Sequence, residues 1–249
     1  MTDDKKQKDD LVFGRNPVSE AIRSSRAVDR ILVAKGARTG AIVGILAKAK
    51  KKNIPIKDVD PKKLDYMTGG ANHQGIAAYC AVKEYSSVDD IFDLADNRGE
   101  KPFIIILDEI EDPHNLGAIL RTAECTGAHG VIIPKRRSAA LSYAVGKASA
   151  GAVEYVPVAR VTNISNTIED LKKRGLWVYG ADMNGTNYRD CDFSGAVALV
   201  IGNEGKGIGR LVREKCDEIV SLPMKGKINS LNASVAAGVL MYEIASKRT

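Results

Sequence analysis

The 249-residue sequence predicts an α/β protein of two domains, the larger and C-terminal one a doubly wound parallel sheet. Three observations carry this. From residue 102 onward, apolar runs at 103–107, 131–133, 177–179 and 196–201 are continuous, which suits strands buried on both faces. Helical stretches at 116–125, 138–150, 164–174, 211–215 and 233–247 follow or separate those runs and supply the crossovers. Ahead of residue 84 the elements are shorter and make an alternating α/β module of their own.

The opening MTDDKKQKDD (residues 1–10) is a charged tail without the apolar stretch of a secretory signal, and no run reaches transmembrane length. A cytoplasmic protein without membrane partners is expected. Residues 11–83 are read as an N-terminal domain, with helices at 17–24 and 41–52 and strands at 30–34, 54–59 and 75–82. Ile42, Ile45, Leu46 and Ala49 share one face of the second helix. Residues 84–101 hold an acidic helix at 88–95, capped by Ser87, and then Asn97-Arg98-Gly99; this stretch is read as the linker to a catalytic domain at 102–249.

Cys80, Cys125, Cys191 and Cys216 lie far apart, and His73, His114 and His129 show no ligand spacing, so reduced thiols and no metal are expected. The formal charge of +6 favours a polyanionic partner. Its basic residues cluster at 48–52, 62–63, 135–137 and 172–174. The last cluster closes a helix, where cations suit the macrodipole. Residues 135–137 follow a strand and are equally consistent with RNA contact and with a solvated loop.

Three polar motifs stand at strand-to-helix junctions, where open α/β sheets present ligands with backbone amides and side chains. In VIGNEGKGIG (200–209), the spacing fits neither a P-loop nor a dinucleotide fingerprint, and Glu204 is its carboxylate. Four glycines in eight residues exceed what a simple turn requires and point to close backbone approach to a ligand. In DEIEDPHNLGAILR (108–121), Asp112 and Asn115 suit a helix start, whereas Arg121 lies in an otherwise apolar segment. Read as partly buried, that arginine needs a carboxylate or phosphate partner. LPMKGKINSLNAS (222–234) gathers Asn229, Ser230, Asn232 and Ser234 before an apolar helix, more polar groups than one cap uses.

In these residues the chain resembles the SpoU (TrmH) family of the SPOUT superfamily, RNA ribose 2′-O-methyltransferases that use S-adenosylmethionine. Within it, GRNPVSEAI (14–22), HQGIAA (73–78), LDEIEDPHNLGAILRTAE and IPKRRSAAL (133–141) resemble RlmB-type enzymes. Those methylate a guanosine ribose in bacterial large-subunit (23S) rRNA. The resemblance implies an N-terminal RNA-binding domain similar to ribosomal proteins, a trefoil-knotted catalytic domain, and a homodimer whose site is completed across the interface. It implies a catalytic set of Asn115, Arg121, Glu204, Ser230 and Asn232. Cofactor contacts are implied for Ile201, Gly202, Glu204, Gly205, Leu222, Met224, Leu231, Asn232 and Ser234. Glu204 is expected to orient Arg121, and Asn115 to hold the ribose. Open alternatives are a tRNA or resistance-type rRNA target, an RNA-binding assembly factor, and a nucleotide-binding enzyme.

Overall fold

A computed structural model describes residues 11–24, 28–52, 54–80 and 83–248, in two compact units. The first begins with β1 (Leu11–Phe13), α1 (Arg15–Arg23), β2 (Val28–Ala34), α2 (Ala41–Lys51), β3 (Ile56–Val59), α3 (Pro61–Met67) and β4 (Ile76–Cys80). Its sheet runs β1-β4-β2-β3, with β4 antiparallel to both neighbours and β2 parallel to β3. Alternation along the strands divides the core. Ile31, Val33, Ile76 and Ala78 join Val18 and Ile22 of α1 and Ile45 of α2, while Leu32, Ala34 and Ala77 join Leu64 of α3. β1 and α3, three and seven residues long, are too short to show a period in the sequence. Residues 81–82, at the end of the expected strand 75–82, lie outside the described residues.

The second unit starts with α4 (Val88–Arg98), β5 (Phe103–Leu107), α5 (Pro113–Cys125) and β6 (Gly130–Pro134). Residues 85–101, most of the stretch expected to link the domains, cluster with this unit. A capping box between Ser87 and Asp90 starts α4, Ile91 and Ala95 are buried in the core, and Gly99 ends the helix at φ 65°. A Cβ on Gly130 would run into Ile91, so α4 sits against the start of β6.

After β6 comes α6 (Tyr143–Ala148), six residues instead of the expected thirteen, followed by positive φ at Ala150 and Gly151. It was expected to cross over within the catalytic domain. Instead, Leu141–Tyr155 clusters with the first unit, where the Tyr155 hydroxyl donates to Glu20 and the Ser24 hydroxyl to Glu154.

The second unit resumes with β7 (Val158–Val161), α7 (Ile164–Lys173), β8 (Trp177–Asn187), β9 (Val197–Ile201), α8 (Arg210–Lys215), β10 (Glu218–Ser221) and α9 (Ala233–Ser246). All pairs in its six-stranded sheet, β10-β8-β9-β5-β6-β7, are parallel. Ile104, Ile106, Val178, Ala198 and Val200 face a core shared with α4, α7 and α8. Their neighbours Phe103, Ile105, Leu107, Leu199 and Ile201 are buried too, as a doubly covered sheet requires. From β5 the chain steps outward through β6 and β7, then crosses to β8 and returns to β9. Strands β5 and β9 are therefore adjacent at the point where the strand order reverses, and the loops after them meet. The Asp108 amide donates to the Ile201 carbonyl at 2.8 Å.

His129 is buried and structural. Its Nδ1 accepts from the Phe103 amide at 2.9 Å, which leaves Nε2 to donate to Glu100 at 3.0 Å. Burial holds its pKa below the ordinary value of 6.5, outweighing the pull of Glu100. The folded state therefore resists protonation more than the unfolded chain does. The associated stability is present above pH ~6.5 and is lost as pH falls from there toward the folded pKa. Thermal melts from pH 7.5 to 5.5 should show a falling midpoint, with a shallower fall in His129→Gln.

All four cysteines are free, Cys80 and Cys191 buried, Cys216 partly so and Cys125 exposed. Burial pushes the thiols of Cys191 and Cys216 up to about 11 and about 12. Among the described residues no cluster of His, Cys, Asp and Glu could hold a metal ion, and no helix is long and apolar enough to cross a membrane.

Candidate active site

The loops after β5 and β9 and the start of α9 bring three distant side chains to one point. Asp112 caps α5 by accepting from the His114 amide at 2.8 Å, and Pro113 begins the first turn, so Asn115 is held on a fixed backbone with its side chain buried. Its Nδ2 donates to Glu204 Oε1 at 2.6 Å. Asn232 caps α9 through Oδ1, which accepts from the amides of Ser234 (3.0 Å) and Val235 (3.3 Å) and from the Ser234 hydroxyl (2.6 Å). Its Nδ2 points the other way, to Glu204 Oε1 at 2.5 Å and Asn115 Oδ1 at 3.0 Å. One carboxylate oxygen thus receives two amide donors. An ionised acid suits that role, and the pair fixes both asparagines.

Asn203 and Asp108, which no sequence pattern singles out, shape the loop carrying Glu204. Asn203 Oδ1 accepts from the amides of Gly205 (2.9 Å) and Lys206 (3.4 Å), while its Nδ2 donates to the Glu109 carbonyl (3.1 Å). Backbone bonds link Asn203 and Gly207 in both directions. Asp108 is buried and accepts from the Gly209 amide at 2.8 Å, which pins the far end of the loop. Desolvation raises its pKa against the effect of that amide, and neighbouring Glu109 adds to the rise. Gly202 has an internal reason to be glycine: a Cβ there would overlap the backbone of Gly207 and Ile208. This close approach is within the loop itself and does not require a ligand.

Beside the node lies a cleft of about 690 Å³, lined by the middle of β8, the ends of β9 and β10, the segment before α9 and α9 itself. Ile201, Gly202, Glu204, Gly205, Leu222, Met224, Ser230 and Leu231 line it; Asn232 and Ser234 do not. The wall formed by Ala181, Asp182, Met183 and Asn184 was missed, because the run at 177–179 gave no sign that β8 continues to Asn187. Asp182 is held there by an ion pair with Arg213.

Arg121 departs from expectation. It is exposed rather than partly buried, and among the described residues it makes no ion pair or hydrogen bond, with Glu204 or any other group. Glu204 is engaged by amides instead.

Residues 102–242 match the family described as SpoU rRNA Methylase, and residues 11–86 match RNA 2′-O ribose methyltransferase substrate binding. The chain belongs to the SpoU rRNA methylase family. This SpoU methylase is 51% identical over 243 residues to the putative TrmH family tRNA/rRNA methyltransferase YacO of Bacillus subtilis, covering 97% of each chain. A relative from Staphylococcus epidermidis with the same description, apart from the name YacO, is 47% identical over 96% of each. Among solved structures, the SpoU methyltransferase AviRb from Streptomyces viridochromogenes, in complex with the cofactor AdoMet, superposes with a TM-score of 0.79 at 26% identity. The match covers 95% of this chain and 89% of that one. In this SpoU methylase, Lys135, Arg136 and Arg137 are exposed just past the carboxyl end of β6, beside the β5 loop; Arg137 pairs with Glu109 at 2.7 Å.

Proposed function

We propose that this S-adenosylmethionine-dependent RNA methyltransferase transfers a methyl group to the 2′-hydroxyl of a guanosine in bacterial large-subunit rRNA. The observation that carries the reading is the Asn115–Glu204–Asn232 node at the edge of the cleft. The cleft fits the cofactor by size and chemistry. Its volume lies within the ~300–1,000 Å³ usual for ligand sites, Ile201, Leu222, Met224 and Leu231 offer apolar walls, and Asp182, Asn203, Asn229 and Ser230 offer polar ends. The cofactor supplies an electrophilic methyl group on a sulfonium sulfur.

The chain's own residues then have three tasks. Asn115 and Asn232, fixed by Glu204, orient the ribose so that its 2′-oxygen faces the methyl carbon in line. Positioning of this kind is worth up to ~7–11 kcal/mol in the best cases. As the O–C bond forms and the methyl–sulfur bond breaks to leave a neutral thioether, the hydroxyl proton passes to solvent, and Arg121, always cationic, stabilises the developing alkoxide or the adjacent phosphate. Ser230, on the cleft lining, adds a hydroxyl at the mouth.

The free guanidinium of Arg121 serves a second copy of the chain in this reading. Helix α9 is apolar on nearly every side, yet this chain buries only Ala233, Ala237, Leu240, Met241 and Ile244. Val235, Val239 and Tyr242 are 51%, 40% and 59% exposed and line a groove with Thr122, next to Arg121. A helix apolar all round calls for burial on the other face as well. A homodimer through α9 provides it, and the trefoil knot implied by the family resemblance belongs to the same proposal.

The test is transfer of labelled methyl from S-adenosylmethionine to unmodified large-subunit rRNA and, in parallel, to bulk tRNA, mapped by primer extension at limiting nucleotide. A single ribose stop in large-subunit rRNA is the expected result. Label in tRNA alone would overturn the target while keeping the chemistry.

A further inference from the structure

The geometry points to Tyr66, flanked by Lys62 and Lys63, as a platform on which an unpaired base of the RNA substrate stacks. The inference rests on the proposed reading of the chain as acting on RNA, and it names a contact in the first unit that this reading does not supply. Helix α3 is built to display these residues. Asp60 caps it by accepting from the Lys62 amide at 2.9 Å, Pro61 fixes its first turn, and Leu64 alone is buried beneath it. Spacings of three and four residues set Lys63 and Lys62 on the same face as Tyr66.

Tyr66 is 86% exposed, more than any other large apolar or aromatic side chain among the described residues. Single exposed apolar residues are ordinary, so exposure alone decides nothing. The surroundings do. Neither lysine forms an ion pair, and the Tyr66 hydroxyl forms no hydrogen bond, among the described residues. The adjacent acids are engaged elsewhere, Asp60 in the cap and Asp65 with His73 Nε2 at 3.0 Å. By contrast, the ring of Tyr79 in the same unit is covered by Arg30, whose guanidinium carbon lies 4.5 Å from the centroid.

The backbone that follows the helix cap carries no side chains. Gly69 and Gly70 follow at φ 63° and 76°, and a Cβ at either would have no atom within 4 Å. Gly69 is tied to the helix by its amide, which donates to the Tyr66 carbonyl at 3.2 Å. A bare aromatic face, two uncommitted cations and a side-chain-free shoulder match what a single-stranded nucleotide presents: a π-face, flanking phosphates and a ribose that needs room. An acidic or apolar protein surface would leave one part of this set unused.

The experiment is a binding titration of the full chain with labelled fragments of large-subunit rRNA and with tRNA, for Tyr66→Ala, Tyr66→Leu and Tyr66→Phe. Stacking predicts that Ala and Leu weaken binding of the cognate RNA about 5- to 150-fold, while Phe stays within about twofold. In turnover the loss should fall on KM and leave kcat unchanged. Lys62→Ala with Lys63→Ala should lower the slope of log affinity against log salt by about 1–2. Unchanged binding by Tyr66→Leu, or Tyr66→Phe as weak as Tyr66→Ala, would overturn the platform. If tRNA rather than rRNA is the RNA bound and methylated, the proposed target fails while the contrast among Tyr66 variants still tests the platform.

Discussion

Arg121→Ala is expected to reduce methyl transfer about 10²- to 10³-fold or more while changing cofactor affinity by less than about twofold. The magnitude is that of removing one charge-stabilising donor from a reaction centre. The structure makes the experiment clean. Arg121 is exposed and has no partner among the described residues, so its removal should cost the fold no more than an ordinary surface change, ~0.5 kcal/mol. Calorimetric titration with S-adenosylmethionine and single-turnover methylation separate the two quantities. Near-normal turnover would remove Arg121 from the reaction. Mixing Arg121→Ala with Glu204→Ala chains tests whether the arginine acts in trans. A shared site should restore roughly a quarter of wild-type activity, since half the dimers are mixed and each carries one intact site. Sites confined to one chain would restore none.

Gly202→Ala should weaken cofactor binding tenfold or more. The added methyl would overlap the backbone of Gly207 and Ile208, and backbone cannot rotate aside as a side chain can. Relief requires opening the loop, which breaks the paired bonds between Asn203 and Gly207 and displaces Glu204 from the two asparagines. Overpacking of this kind typically costs ~1–3 kcal/mol, and a tenfold or greater loss of affinity is expected as the cleft wall moves. Titration and a thermal shift with and without cofactor would read it. Normal affinity would mean that the loop yields without altering the cleft. A Cβ on Gly205, by contrast, would meet only Asn203 Oδ1 at 3.6 Å, an ordinary contact, so Gly205→Ala should leave the loop closed.

The strands at the centre of the second sheet were legible because parallel strands buried on both faces leave unbroken apolar runs. Strands β7 and β10, at its edges, are four residues long and carry too little pattern to be read. Helix α4 is acidic on its outer face, and only Ile91 and Ala95 are fully buried, so composition hid its anchorage. At the site, the polar residues of the three motifs were visible in sequence as candidates. Their partners were not, since Asn115, Glu204 and Asn232 lie 89 and 28 residues apart along the chain. The expected burial of Arg121 failed because apolar neighbours on a helix do not say which side faces out: Leu116, Ile119, Leu120 and Ala123 point inward and leave Arg121 on the opposite face.

Asn232 serves the start of α9 with one end of its amide and Glu204 with the other. The Asn232 half of the acid–amide node therefore waits until residues 233–246 have wound into their helix and docked. A chain still in synthesis, with its sheet complete but this last segment unformed, would bear every strand of the catalytic unit and no working centre. On the proposed assignment of the site, catalytic competence waits on α9, and a chain in which that helix has not formed would not methylate RNA.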